Sequence, residues 1–388
     1  MRIRWMLLIM AGIGCDGTEA GDQSAVVATA AARPAVPGDS TVPSFAVETV
    51  AEGLIVPWAL AFVPDGRIFV TERAGSIRVI RNGVLDPQPW ATVKVAASGE
   101  AGLMGIAIAP DFAQSHAVYV VATFRTGNGL INRLLRFTEN EGRGQNPVVV
   151  LDRIPSARFH AGDALAFGPD GMLYVATGDA TEPTRAQDPK SLGGKILRLA
   201  PNGDVPADNP VPGSLVFAYG LRNPQGIAWD SATGQMFATD HGPSGFPKER
   251  FRRNHDELNA ILPGGDHGWP KDAGHNASAK SVKPLSDWDP AIAPSGLAMY
   301  TGRHFPRWHG SLFVGALRAT HLRRVSVERD SSGWLSTAEE IVVQDVGRVR
   351  AVAMGPDGYL YFTTSNHDGR GDPGERDDRV LRIIPAKR

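Results

Sequence analysis

Ala166–Asp179 reads AFGPDGMLYVATGD: a short apolar run, a Pro-Asp-Gly reversal, then a second run rich in aromatic and β-branched residues. Proline presets φ, aspartate favours a turn and glycine tolerates positive φ, so the stretch predicts a β-hairpin. The phrase returns as AFVPDGRIFVTER at Ala61–Arg73 and as AMGPDGYLYFTTSN at Ala353–Asn366. Looser copies lie at Leu103–Thr123, Pro224–Asp240 and Pro294–Ala316, and further strand-like runs such as Ser76–Ile80, Lys195–Leu199 and Val380–Ile384 follow the copies. Six such units predict six blades. One blade cannot bury both its faces, whereas blades stacked around an axis bury them and hide most strand edges. The expected fold is therefore all-β, a six-bladed β-propeller of four-stranded antiparallel blades. Ser44–Val50, ahead of the first full copy, is expected to pair with the last blade and close the ring.

At 388 residues the chain exceeds the usual single-core size, yet a closed propeller reaches this length as one domain. Its 44 glycines and 29 prolines suit a turn-rich all-β protein. A formal net charge of −1 gives no general attraction to nucleic acid or to an anionic membrane, and a single cysteine leaves no thiolate metal cluster. Arg2 and Arg4 precede an apolar run, Trp5–Ile13, that is too short to span a bilayer; residues 1–14 read as an export signal. Cys15 follows Gly12-Ile13-Gly14, which resembles a bacterial lipoprotein cleavage site, so lipid attachment and ordinary cleavage both stand open. Residues 15–43 read as a flexible linker without aromatics, and residues 44–388 as the propeller. The expected location is the periplasm or the cell envelope, with membrane contact only through an N-terminal lipid.

Hairpin register locates candidate chemistry. With Pro169 and Asp170 as the central pair, His160 faces Asp179, and a bulge would shift this by one. A carboxylate beside an imidazole fixes its tautomer and raises its basicity, as a general base requires. The plainer alternative is a surface histidine beside a glycine-rich loop. Arg348 and Arg350 alternate at period two and share a face, which calls for an anion such as a polycarboxylate between them, unless they are simply exposed edge cations. Arg318 lies in the corresponding region of the preceding blade. GLRNPQG at Gly220–Gly226 presents Arg222 and Asn223 on a backbone fixed by Pro224. In DHGP, Asp240–Pro243, the carbonyls of Gly242 and Pro243 can serve a hard cation such as calcium, or the motif is only a turn. Asp256 and Glu257 can bind calcium, brace the DHGP loop or face solvent. All these groups fall on loops of one rim, which converge on the central channel of a propeller. Together they describe a pocket for a small, polyanionic, metal-associated molecule.

These motifs, with GLMGIAIAPDF, SLGGKILRL, DELN, HGWP, IAPSGLAMYTG and LFVGAL in order between about Glu52 and Pro385, resemble the soluble quinoprotein sugar dehydrogenases of the glucose/sorbosone dehydrogenase family. The resemblance implies a propeller carrying pyrroloquinoline quinone (PQQ) with calcium at its quinone end. It implies that His160 is the base acting on the anomeric hydroxyl, with Asp179 orienting it. It implies that Arg222 and Asn223 serve the quinone end, Arg222 also in catalysis. It implies that His241, Arg318, Arg348 and Arg350 bind the cofactor and that Gly242 and Pro243 ligate calcium through their carbonyls. The implied reaction oxidises an aldose at C1 to its lactone and passes electrons to an external acceptor: a quinone, a cytochrome or a dye. Three departures stand out. Ala161, Gly162 and Asp163 replace the usual Asn-Gly-Gly and are expected to add a carboxylate near the base. Arg318 stands where lysine is usual. Ser244–His255 is longer and more basic than usual, with Lys248, Arg250, Arg252 and Arg253, and is expected to reshape the pocket mouth. Two alternatives follow from them: a non-catalytic calcium-dependent propeller that binds a glycan or protein partner, and a lactonase-type hydrolase.

Overall fold

The computed structural model describes residues 43–249, 255–274, 278, 280–331 and 333–386. Each Pro-Asp-Gly phrase forms the same tight turn. Asp65, Asp170 and Asp357 accept the backbone N–H two residues on, from Arg67, Met172 and Tyr359, at 3.1, 3.1 and 3.2 Å. The glycine that follows each aspartate has φ of 89°, 74° and 81°, in the left-handed region that glycine adopts without strain.

The strands form six antiparallel sheets. The first blade comprises Pro57–Phe62, Ile68–Glu72, Ser76–Arg81 and Val84–Leu85, with a short fifth strand, Ala91–Thr92, also on Ser76–Arg81. The second comprises Leu103–Ile108, Ala117–Thr126, Gly129–Asn140 and Arg143–Ser156; the third, Gly162–Phe167, Leu173–Thr177, Lys195–Leu199 and Val216–Tyr219. The fourth comprises Pro224–Trp229, Met236–Asp240, Asp256–Ile261 and Ser286–Trp288; the fifth, Pro294–Met299, Leu312–Ala316, His321–Asp330 and Gly333–Val343. The sixth joins Val349–Met354, Leu360–Thr364 and Val380–Pro385 to Phe45–Ala51, so the N-terminal strand closes the ring as the sequence predicts. The first strand of every blade packs on the first strands of both neighbours, which makes them the wall of the central channel. One apolar cluster fills each of the six junctions between blades, such as Phe69, Val79, Val118 and Phe137 between the first and second. The protein is a six-bladed β-propeller.

All six channel strands share a feature that the repeat does not advertise. Each shifts register once near its start: between Pro57 and Ala59, Leu103 and Ile106, Gly162 and Ala164, Pro224 and Gly226, Pro294 and Leu297, and Val349 and Val352. Such a bulge re-aims side chains and frees ladder amides. Threonines on the neighbouring strand answer the need. The hydroxyls of Thr71 and Thr363 accept from the N–H of Ala59 and Ala351, at 3.2 and 3.0 Å. Thr71 and Thr239 also donate to Met104 and Ser295 carbonyls of the next blade, at 2.6 and 2.7 Å. At Thr71 blade stacking and bulge satisfaction use the same hydroxyl.

Candidate active site

His160 precedes the third blade's channel strand, and its ring Nδ1 lies 2.8 Å from Asp179 Oδ1. The expected pairing is correct, although the turn is centred on Asp170 rather than between Pro169 and Asp170. Phe167 pairs with Leu173, and the bulge after Gly162 then restores the offset that brings His160 opposite Asp179. His160 has φ of 57°, an unusual conformation for a residue with a Cβ. Gly178 makes this possible: a Cβ there would come 2.0 Å from the His160 carbonyl oxygen. Asp179 is fully buried and also accepts from the Thr181 N–H at 2.7 Å and the Trp269 indole N–H at 2.8 Å. An ionised carboxylate only accepts, so His160 donates through Nδ1 and keeps its lone pair on Nε2. That Nε2 is buried without a partner among the described residues, and His160 lines a cavity of about 820 Å³ in the channel mouth.

Arg318, Arg348 and Arg350 line the same cavity. Arg348 is held by Asp368, which accepts from its Nε at 2.8 Å, and by the Leu317 carbonyl, which accepts from its Nη1 at 2.8 Å. Arg350 sits at its strand's bulge, 5.3 Å above the Trp58 ring, and donates to the Gln225 side chain at 3.0 Å. Burial pulls its pKa down to about 10, and its Nε is buried without a partner among the described residues. A desolvated guanidinium with an unused donor, facing a cavity, is the donor half of an anion site. Glu100, unmarked in the sequence reading, faces it. Its Oε2 accepts from the His160 N–H and the Asn223 side-chain amide, both at 3.0 Å. Burial alone would raise its pKa, but His241, His160, Arg370 and Arg350 together hold it below the ordinary carboxylate value.

Arg222 and Asn223 enter the cavity where expected, on a loop that Asp240 grips by accepting from both backbone N–H groups, at 2.9 and 2.6 Å. Arg222 is committed within the protein. Glu249 Oε1 accepts from its Nε at 2.7 Å, the His241 carbonyl accepts from its Nη1 at 3.0 Å, and Trp269 lies beneath it at 5.6 Å. Glu249 comes from the stretch expected to reshape the pocket mouth, and its Oε2 also accepts from the N–H groups of Ser244, Gly245 and Phe246 at 2.8–3.0 Å. That clamp presents Phe246 to the cavity, edge-on to His160 at 4.8 Å and 5.6 Å from Phe159. Arg250, Arg252 and Arg253 lie outside the described residues, as does the Asp163 side chain that was expected near the base.

The DHGP loop also borders the cavity. His241 and Pro243 line it, whereas Gly242 lines a small chamber behind. His241 Nε2 donates to the Pro294 carbonyl at 2.8 Å, and burial holds the His241 pKa below its ordinary value. Of the three readings of Asp256, bracing holds. Its carboxylate accepts from the Gly242 N–H at 2.8 Å and from the Ala293 N–H at 2.7 Å. Among the described residues no group of three His, Cys, Asp or Glu side chains is arranged for a metal, so a cation here would depend on backbone carbonyls.

A propeller whose channel mouth joins a buried His–Asp pair to an arginine-lined cavity has the architecture of a cofactor-handling oxidoreductase. The chain belongs to the Glucose / Sorbosone dehydrogenase family, whose model matches residues 54–376. It is 32% identical to the aldose sugar dehydrogenase of Escherichia coli K12, over 83% of this chain and 91% of that protein. The PQQ-bound aldose sugar dehydrogenase of Streptomyces coelicolor superimposes with a TM-score of 0.77 at 35% identity, covering 88% of this chain and 99% of that one. The quinoprotein glucose dehydrogenase B of Acinetobacter calcoaceticus is 29% identical, over 72% of this chain and 65% of that protein.

Proposed function

We propose that the protein is a PQQ- and calcium-dependent dehydrogenase that oxidises an aldose at C1 to its lactone and passes two electrons to an external acceptor. The observation that carries this reading is the unpartnered Nε2 of His160, buried in a cavity that Arg318, Arg348 and Arg350 also line. These arginines suit a tricarboxylate cofactor, and the carbonyls of Gly242 and Pro243 would hold its calcium. When bound, PQQ supplies the acceptor for the C1 hydride, and calcium supplies Lewis-acid polarisation. His160 takes the C1 hydroxyl proton on Nε2. Asp179 keeps the imidazole in the tautomer that can do so and stabilises the imidazolium that forms. Asn223 flanks the reacting end as a hydrogen-bond donor and Arg222 as a fixed positive charge, which Glu249 moderates. Phe246 and Phe159 supply apolar walls that exclude water from the base.

The reading extends to the cell envelope, on the strength of Arg2, Arg4 and the Trp5–Ile13 run. The test is an absorbance titration of the purified protein with PQQ in the presence of calcium, followed by dye-linked oxidation of a panel of aldoses. Saturable quinone binding that is lost with a calcium chelator, together with sugar-dependent dye reduction, is the expected result. A protein that takes up no PQQ would sink the reading.

A further inference from the structure

Beside the main cavity lies a second chamber of about 220 Å³, and the two share Glu100, Phe159, Arg350 and Arg370. Arg73 and Arg158 complete its cationic lining. The guanidiniums of Arg158 and Arg370 each lie 5.3 Å from the centroid of Phe159, the residue next to His160. Arg73 donates to the Gly99 carbonyl at 2.6 Å, and burial lowers its pKa against the opposing charge of Asp368, with the like charge of Arg370 adding to the fall.

Two carboxylates adjoin these cations, and both are already engaged. Asp368 accepts from Arg348 at 2.8 Å. Glu100 accepts from the His160 N–H and Asn223 and reaches Arg370 only at 3.7 Å. Among the described residues neither Arg73 nor Arg158 has a carboxylate at ion-pair distance. The chamber therefore holds excess positive charge beside the base and adjoins the Arg318–Arg348–Arg350 wall through Arg350, which lines both. Apolar ring faces and guanidiniums together fit a sugar ring that ends in an anion.

We infer that the preferred substrate is an aldose bearing an acidic group, a uronic acid or a sugar phosphate, whose anion enters the Arg73–Arg158–Arg370 chamber while its C1 end faces His160. This rests on the dehydrogenase reading for the chemistry at C1, but the charge preference can be measured without turnover. Calorimetric titration of the calcium-loaded protein carrying PQQ in its reduced form, which cannot accept a hydride, compares glucuronate and glucose 6-phosphate with glucose. At least one acidic sugar is expected to bind at least tenfold more tightly than glucose, with an advantage that shrinks as salt is raised. Which of the two is preferred separates carboxylate from phosphate recognition. Arg158→Gln combined with Arg370→Gln is expected to erase most of the ratio between acidic and neutral sugar. The fold of this variant is checked by its unfolding midpoint, and Arg158→Lys is expected to retain part of the ratio.

Equal affinity for glucose and the acidic sugars, or no sugar binding, overturns the inference. So does a double variant that keeps the ratio but loses PQQ affinity, because the arginines would then serve the cofactor. Acidic sugars that bind preferentially yet are never oxidised would leave the charge preference standing and defeat the dehydrogenase reading instead.

Discussion

The ends of the blade hairpins and the loop Ser244–Glu249 both deliver side chains to the central cavity, under different constraints. His160, Asp179, Arg348 and Arg350 lie at the ends of blade hairpins whose register is fixed by β-ladders, with the channel-strand bulge setting their aim. Glu249 and Phe246 hang from a loop held by one carboxylate that serves three backbone N–H groups and Arg222 at once. The first group is positioned by the whole fold. The second is positioned mainly by Glu249, with Lys248 paired to Glu182 at the surface.

Two substitutions probe the hairpin side. His160→Gln removes the unpartnered Nε2 lone pair and should lower kcat by at least about 10³-fold while quinone absorbance in the PQQ titration persists. Asp179→Asn can neither fix the Nδ1–H tautomer nor stabilise the imidazolium, so a fall in kcat of about 10²-fold is expected, with KM little changed. A normal kcat in either variant would remove the pair from the chemistry.

Two more probe the loop. Glu249→Gln breaks a buried ion pair but keeps one acceptor, and is expected to cost about 2 kcal/mol in guanidinium unfolding and to expose the loop to proteolysis. An unchanged midpoint would mean that the loop is held by something else. Phe246→Ala should raise the KM for sugar roughly fivefold, about 1 kcal/mol, with less effect on kcat. A larger loss in kcat than in KM would place Phe246 with the hairpin residues after all.

The same contrast explains what could be read from the sequence. The hairpin phrase encodes its turn in three residues and its faces in a period of two, so blade count, ring closure and the His160–Asp179 pairing were legible. The last survived because two shifts cancelled: the turn is centred half a residue later, which moves the pairing by one, and the bulge moves it back. The bulges themselves were hidden, since their trace, where one exists, is a single hydroxyl on the neighbouring strand, as at Thr71 and Thr363. Glu100 lay outside every motif, and its role depends on a loop meeting His160 across 60 residues of sequence. In Ser244–His255 the eye goes to Lys248 and the arginines, yet the side chain that organises the described part is the one acid, Glu249, whose meaning appears only when Arg222 lies opposite.

The most direct test of the account is steady-state oxidation of aldoses by the PQQ- and calcium-loaded protein, with wild type and His160→Gln measured side by side at matched quinone occupancy. Sugar-dependent dye reduction is expected in the wild type and its loss in the variant. Equal rates in the two proteins, or full quinone occupancy in the wild type without oxidation of any neutral or acidic aldose, would contradict it.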